Sequence, residues 1–497
     1  MSDVITCGFL LDYYRLQLVC TGQHYPRVTI HALPDDILLE IFKFYVDEAS
    51  GVAEWPDNAW HTPVHVCQRW RFVVLASPRW LDLHIFCTNK NQVENHLIIW
   101  PQLPLSIHAF PDYDSDTDTP LPLLGVTNII AALKHHHRLG KFTIYGIPNS
   151  LLKEFGAMKN PFPVLTELKL QSDEAYPLVL PDSFLLGAAP RLRTLWLDEI
   201  PFPALPKLLL SSRDLVELHL KHVPPSGYIS PEALATSLSV LTRLESLELS
   251  PQFLPSWGDR ANPQPPRSTR VVLPSLTDFH FNGHSKYLEC IVSQIDCPLL
   301  SSTWIRFSDQ LASDTPQIRH FISRTEAFKA PHRADIEFSK DSVRVVLFRR
   351  KGLVDCKKLE LQISCNRSSW QISAITDVCT SPLPPLPTLE CLGICEEKYH
   401  KPEWQDNIVN TQWLQLFHPF SSVKNLFLSE RLAQLVAPAL HELTGGRVTE
   451  VLPALQNIFL QGERPSETVQ EDIGQFIAKR QLSDCPVAVH CERNWWW

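Results

Sequence analysis

The sequence predicts an α/β chain. A small all-helical module lies near the N-terminus, and an irregular solenoid of parallel strands, each backed by a helix, follows it. Three observations predict this. An apolar string of the form L-x-x-L-x-L recurs at nine places between residues 139 and 460. Many of the 41 prolines stand just ahead of these strings, against only 17 glycines. Residues 31–47, by contrast, space their apolar side chains as a helix does.

Composition bounds the rest. A chain of 497 residues with 44% hydrophobic and 20% charged residues is ordinary globular protein, long enough for two or three domains or for one extended by repeats. A net charge of -9 argues against nucleic acid or an anionic membrane as partner, because neither attracts an acidic surface. No apolar run is long enough to span a bilayer, and Asp3 and Asp12 interrupt the opening segment, which does not read as a signal peptide. Thirteen cysteines, an odd number scattered through apolar segments, suit a reducing compartment and place the chain in cytoplasm or nucleus.

In the N-terminal module, Pro34 suits a first helical turn and Asp35 and Asp36 favour the positive end of the helix dipole. Leu33, Ile37, Ile41 and Tyr45 recur every four residues, with Leu38 and Phe42 beside them. That apolar face is wider than a surface helix needs. A second helix is expected from Thr62-Pro63, carrying Val66, Cys67, Trp70, Val73 and Val74 until Ser77-Pro78 stops it. So much apolar surface on so few helices is either a cap on the following solenoid or a face that another polypeptide covers.

The strings LPDDILLEIF and VCQRWRFVVLASPRW resemble the F-box, in the variant common in fungal F-box proteins with a longer loop between helices. The resemblance covers about a tenth of the chain. It rests on Leu33, Pro34, Ile37, Leu38, Ile41 and Phe42, then Val66, Cys67, Arg69, Trp70, Leu75, Pro78 and Trp80. The segment 48–61 is longer than in the shortest members, and one residue usual before the final tryptophan is missing. The resemblance implies docking on a Skp-type adaptor, and through it on a cullin–RING ubiquitin ligase. Leu33, Pro34, Ile37, Leu38, Ile41, Val66, Cys67, Trp70 and Trp80 would supply the adaptor surface.

The repeated strings follow one another at intervals of 23 to 34 residues, the long and irregular end of the leucine-rich repeats. Their last two apolar residues are two apart, so both point to one side of a short strand; stacked parallel strands bury what one strand cannot. Weaker copies are Cys356/Leu359/Leu361 and Ile336/Phe338, and 297–307 fits poorly where another is due. Helices are expected at Ser230-Pro231-Glu232 and over 466–479. The division is then 1–30 as an extension, 31–86 as the helical module, 87–465 as the solenoid and 466–497 as a C-terminal helix or cap and tail.

Strand alternation turns the central residue of each string outward: Thr143, Lys169, Trp196, His219, Glu248, His280, Gly393, Phe427 and Phe459. Trp196, His219, Glu248, His280, Phe427 and Phe459 are the candidate contacts for a target protein; the alternative for the phenylalanines is cover by a C-terminal cap or by Trp495-Trp496-Trp497. No nucleotide loop, GxSxG elbow or HExxH motif occurs. No catalytic residue, cofactor or metal is therefore expected. The reading is a non-catalytic substrate receptor of a ubiquitin ligase, with a repeat scaffold outside the ubiquitin system, its helical module a structural cap, as the alternative.

Overall fold

The computed structural model describes residues 30–52, 61–77, 84–86, 93–94, 97, 105–109, 112–113, 120–121, 125–158, 160–185, 189–252, 270–308, 315–351, 354–365, 368–380, 383, 386, 388–402, 404, 410–462 and 465–492. The chain divides into two compact units, Met1–Ile85 with Asn95–Ser106, and Phe86–Glu94 with Ile107–Trp497.

The first unit holds α1 (Asp35–Val52), α2 (His61–Val66) and α3 (Gln68–Ala76). The single helix expected from Thr62 is two helices. Cys67 leaves helical geometry and caps α3, its Sγ accepting from the Trp70 N–H at 3.5 Å, so the chain bends where a continuous helix was expected. Leu38, Phe42, Val73 and Val74 form the buried seam, and the Phe42 ring packs on Trp70 with centroids 4.8 Å apart. Arg69 ties α3 to the start of α1. Its guanidinium donates to Asp35 Oδ1 at 2.6 Å and to the Leu33 carbonyl at 2.6 Å.

The second unit is α/β, with a large, mostly parallel sheet and helices packed on it. Its strands include β1 (Leu139–Ile144), β2 (Glu167–Gln171), β3 (Thr194–Asp198), β4 (Glu217–Val223), β5 (Ser246–Pro251), β6 (Asp278–Gly283) and β7 (Ser302–Phe307). After them come β8 (Arg333–Phe338), β9 (Ser342–Lys351), β10 (Val354–Ser364), β11 (Cys391–Glu396), β12 (Asn425–Leu428), β13 (Asn457–Gln461) and β14 (Ala488–Glu492). Neighbours in space follow chain order except once: β7 is followed by β10, then β9, then β8, then β11. Strand β9 is antiparallel to both its neighbours.

The connecting helices pack on one another in sequence, from Pro231–Leu238 through Ser285–Gln294 to Pro316–Arg324, and from Ser368–Thr380 through Asn410–Phe417 and Glu430–His441 to Glu467–Leu482. The expected caps are present: the hydroxyls of Ser230 and Ser466 accept from the Ala233 and Val469 N–H groups.

One local device repeats. The N–H of each string's leading leucine donates to the carbonyl three residues before it, as from Leu165 to Phe162, Leu192 to Ala189, Leu276 to Leu273 and Leu455 to Leu452. In each of these turns proline holds the second position, where its fixed φ already matches. These turns explain the prolines that stand just ahead of the strings. The same turn, Cys297-Pro298-Leu299-Leu300, precedes β7, with the Leu300 N–H on the Cys297 carbonyl.

Register defines the core. Phe142, Leu168, Leu195, Leu218, Leu247, Phe279, Thr303 and Leu359 stand side by side across successive strands, all 3% exposed or less. The row continues through Leu347, Ala334, Leu392, Leu426 and Ile458. Strand β7 is therefore a full repeat whose first inward position is threonine rather than leucine, which is why the string at 297–307 fitted poorly. The expected pair Ile336/Phe338 is displaced by two: the register matches Ala334 with Leu392 and Ile336 with Ile394. Cys356/Leu359/Leu361 belongs to β10, which enters the sheet by a hairpin rather than from a helix. Residues 466–497 hold more than a cap, since β14 follows the last helix and extends the sheet in register with β13.

Candidate functional site

The face of the sheet away from the apolar rows carries the candidate contacts. Register places Thr143, Lys169, Trp196, His219, Glu248 and His280 on one continuous line of neighbouring strands. It runs on through Trp304, Glu360, Val346, Asp335 and Gly393 to Phe427, Phe459 and His490. Trp304, Glu360, Asp335 and His490 are members that the sequence reading missed. The signal for Trp304 was the Pro298 turn, which marks its strand as a repeat. Thr143 is on the line but buried, at 3% exposure.

The first half of the line is a polar lattice. Lys221 Nζ lies 5.9 Å from the Trp196 ring centroid, and the Tyr145 ring meets that indole at 5.6 Å between centroids. Glu248 accepts from Lys221 at 3.0 Å and lies 2.9 Å from His219 Nδ1. Burial alone would raise the Glu248 carboxyl, but the hydrogen bonds to His219 and Lys221 outweigh it and hold the group below the usual carboxylate range. His280 meets Trp304 edge-on at 6.1 Å. The Trp304 Nε1–H and Arg344 Nη1 both donate to Glu360 Oε1 at 3.1 Å, and Arg344 Nε bonds Glu337 at 2.9 Å.

The centre of the line is closed. Asp335 takes a two-pronged contact from Arg333, at 2.8 and 2.6 Å. A Cβ at position 393 would lie 2.5 Å from Asp335 Oδ1. Glycine is what lets the carboxylate lie over β11.

Beyond Gly393 the line turns aromatic. Phe427 and Phe459 stack with centroids 4.5 Å apart and planes 12° from parallel; the His490 imidazole continues the stack at 4.8 Å and 21°. An amide ladder runs beside them, with Asn457 Nδ2 donating to Asn425 Oδ1 at 2.8 Å and His490 Nε2 3.3 Å from Asn457 Oδ1. The six target-contact candidates thus fall in two groups, Trp196–His219–Glu248–His280 and Phe427–Phe459. Six strand steps separate them, about 29 Å at the usual spacing.

In the helical unit, Pro34 is exposed, Ile37 is 44% and Ile41 41% exposed, and Phe44 and Val66 also face solvent. Leu33, Cys67 and Trp70 are half-buried. Leu38 is fully buried. It belongs to this unit's own seam rather than to a surface, because it sits one position round the helix from Ile37. Trp80 lies outside the described residues, as does Pro78.

Among the described residues, Asp198, Glu199 and His222 bring ligand-type atoms within 4.8 Å of one another, and His222 Nδ1 satisfies the buried Asp198 carboxylate at 2.8 Å. The described cysteines are free thiols, and burial pushes Cys365 up to about 11 and Cys297 up to about 12, as inert core residues. No described helix is long and apolar enough to cross a membrane.

No family model matches the chain, and no curated protein matches it. Among solved structures, it is similar to the leucine-rich repeat-containing protein LegL7 from Legionella pneumophila, at 14% identity over 68% of this chain and 97% of that one, with a TM-score of 0.27. The repeat architecture of this chain rests on its strand register and not on that likeness.

Proposed function

We propose that the chain is a substrate-recognition subunit of a Skp–cullin–F-box type ubiquitin ligase. The helical unit docks the adaptor, the sheet face holds a target protein, and ubiquitin transfer takes place on other subunits. The observation that supports the first step is the pattern on α1. Leu38 and Phe42 satisfy the inward seam, while Ile37 and Ile41 each lie about 100° round the helix from their seam neighbour and, like Phe44, remain exposed. An apolar helical stripe of this kind is a protein-binding surface. The F-box resemblance of the same segment supplies the class of partner.

The sheet face suits a protein target. It offers charge, imidazole and indole at one end and stacked phenylalanines at the other, and aromatic residues are enriched at protein interfaces. Holding a target lysine near a charged carrier enzyme raises its effective concentration, and no catalytic group on this chain is required.

Co-purification with a Skp-type adaptor tests the reading. The intact chain should retain the adaptor at micromolar concentration, and Ile37→Asp with Ile41→Asp should reduce retention at least about tenfold, a cost of 1.4 kcal/mol or more. Both positions are solvent-facing, so the variant keeps its fold by circular dichroism. Failure of the folded, intact chain to retain any adaptor leaves a leucine-rich-repeat-like interaction scaffold.

A further inference from the structure

Beside the line of target contacts, one set of metal-ligand groups comes together among the described residues. It is Asp198, Glu199 and His222, whose ligand-type atoms lie within 4.8 Å of one another. We propose that these three side chains bind a divalent transition ion of the zinc class.

The backbone builds the set. Gln171, Asp198 and Lys221 are neighbours in register on β2, β3 and β4. Just beyond that rung the Ser172 N–H donates to the Asp198 carbonyl, and the Glu199 N–H to the Lys221 carbonyl, both at 3.0 Å. Three strands therefore end at one level, which brings Asp173, Asp198, Glu199 and His222 to the same edge of the sheet.

The electrostatics leave a place for a cation. Asp198 is 6% exposed, and a carboxylate buried to that degree needs compensation. His222 Nδ1 meets one of its oxygens, Oδ1, at 2.8 Å. No donor among the described residues reaches the other oxygen, or the carboxylates of Glu199 and Asp173. Lys221, set beside Asp198 by register, sends its ammonium to Glu248 instead, at 3.0 Å. Burial and the Asp198 charge both push the Asp173 carboxyl up, as happens when carboxylates crowd without a counter-ion. Three carboxylates share one imidazole.

The donor set selects the ion. An imidazole nitrogen with carboxylate oxygens suits zinc and its first-row neighbours, whereas calcium and magnesium take oxygen ligands. A tetrahedral ion with bonds of about 2.0 Å holds its ligands about 3.3 Å apart, so the set has to close slightly on binding. Glu199 is half-buried and the His222 side chain 50% exposed, and both have room to swing toward the fixed Asp198. The ion then clamps the turn after β3 to the turn after β4. His222 directly follows Lys221, whose ammonium lies by Trp196 and Glu248, so occupancy steadies the charged end of the target-contact line. The inference does not depend on the ligase reading, and its test requires neither adaptor nor target.

The test is equilibrium dialysis of the reduced full chain against micromolar zinc, with bound metal counted by mass spectrometry and cobalt(II) as a coloured substitute. The parent should take up an ion that Glu199→Gln with His222→Asn binds at least about tenfold more weakly. Neither side chain is buried, and asparagine tolerates the left-handed φ of +44° at position 222, so this variant keeps its fold by circular dichroism. Asp198→Asn, nearly identical in shape, should weaken binding as well. Cobalt lost from the variants should carry the visible bands of a nitrogen–oxygen site without the charge-transfer band of a thiolate ligand, which separates this set from the cysteines. A parent that takes up no zinc overturns the proposal. So does uptake that the folded variants retain in full, or a thiolate band on the cobalt that they lose.

Discussion

At the scale of single residues, Thr303 shows how the core tolerates a misfit. It occupies a position that holds leucine or phenylalanine on the strands before it, is 2% exposed, and its hydroxyl has no hydrogen-bond partner among the described residues. A buried hydroxyl without a partner costs about 1–3 kcal/mol. Thr303→Val keeps the shape and removes the unsatisfied group, so it should raise the unfolding free energy by about 1 kcal/mol, read as a higher urea midpoint at unchanged slope. A lower midpoint means that the hydroxyl is satisfied. Arg480 is the opposite case, a fully buried guanidinium that meets no carboxylate among the described residues. It donates to the carbonyls of Val448, Leu452, Pro453 and Leu455, closing the turn that feeds β13. The spacing Val469, Ile473, Phe476 puts position 480 on the same buried face, but nothing in the sequence names the carbonyls its guanidinium meets.

At the scale of elements, the lattice around β4 and β5 makes stability depend on pH. Hydrogen bonds from His219 and Lys221 hold the folded-state Glu248 carboxyl below its ordinary value near 4.5. A depressed carboxyl contributes stability that is fully present above the ordinary value and is lost as pH falls through the folded one. Glu248→Gln should therefore lower stability near neutrality and flatten the loss seen below about pH 4.5. Urea midpoints between about pH 3 and 6 measure this, and a variant with the parent's full acid slope contradicts the assignment.

The same scale shows what was readable beforehand. Alternation in each string placed nine outward residues, and register puts all nine on one line, because side-chain period two in strands is a geometric necessity. The strand that reverses was not readable. Ser342–Lys351 is apolar on both sides, with Val343, Val345, Val346 and Leu347 all buried, so it shows no alternation by which to recognise it. Ala334 misled the frame of β8 because alanine is too small to count as an apolar signal. In the helical unit the spacing of Ile37 and Ile41 was legible, but it could not separate them from Leu38, whose burial depends on which neighbours the fold brings to α1.

At the scale of the molecule, each repeat of a stacked array exchanges stability only with its neighbours. Among the described strands, the three-stranded meander β10–β9–β8 is where that succession breaks. Strands β1 to β7 on one side and β11 to β14 on the other are each built from parallel neighbours, and should open as separate cooperative units. Leu426→Ala, at a fully buried position of β12, should cost about 2–5 kcal/mol locally. Amide exchange should then accelerate across β11 to β14 while β2 to β6 keep the parent's protection. Uniform acceleration along the whole sheet shows instead that the meander transmits stability.

The glycine at 393 has a consequence for how the chain can change. Because Asp335 lies where a side chain would stand, the ion pair with Arg333 fences the ring stack off from the charged lattice, and neither region has to accommodate substitutions in the other. Substitutions can accumulate at one end of the sheet face while the other is left as it is, provided that position stays bare.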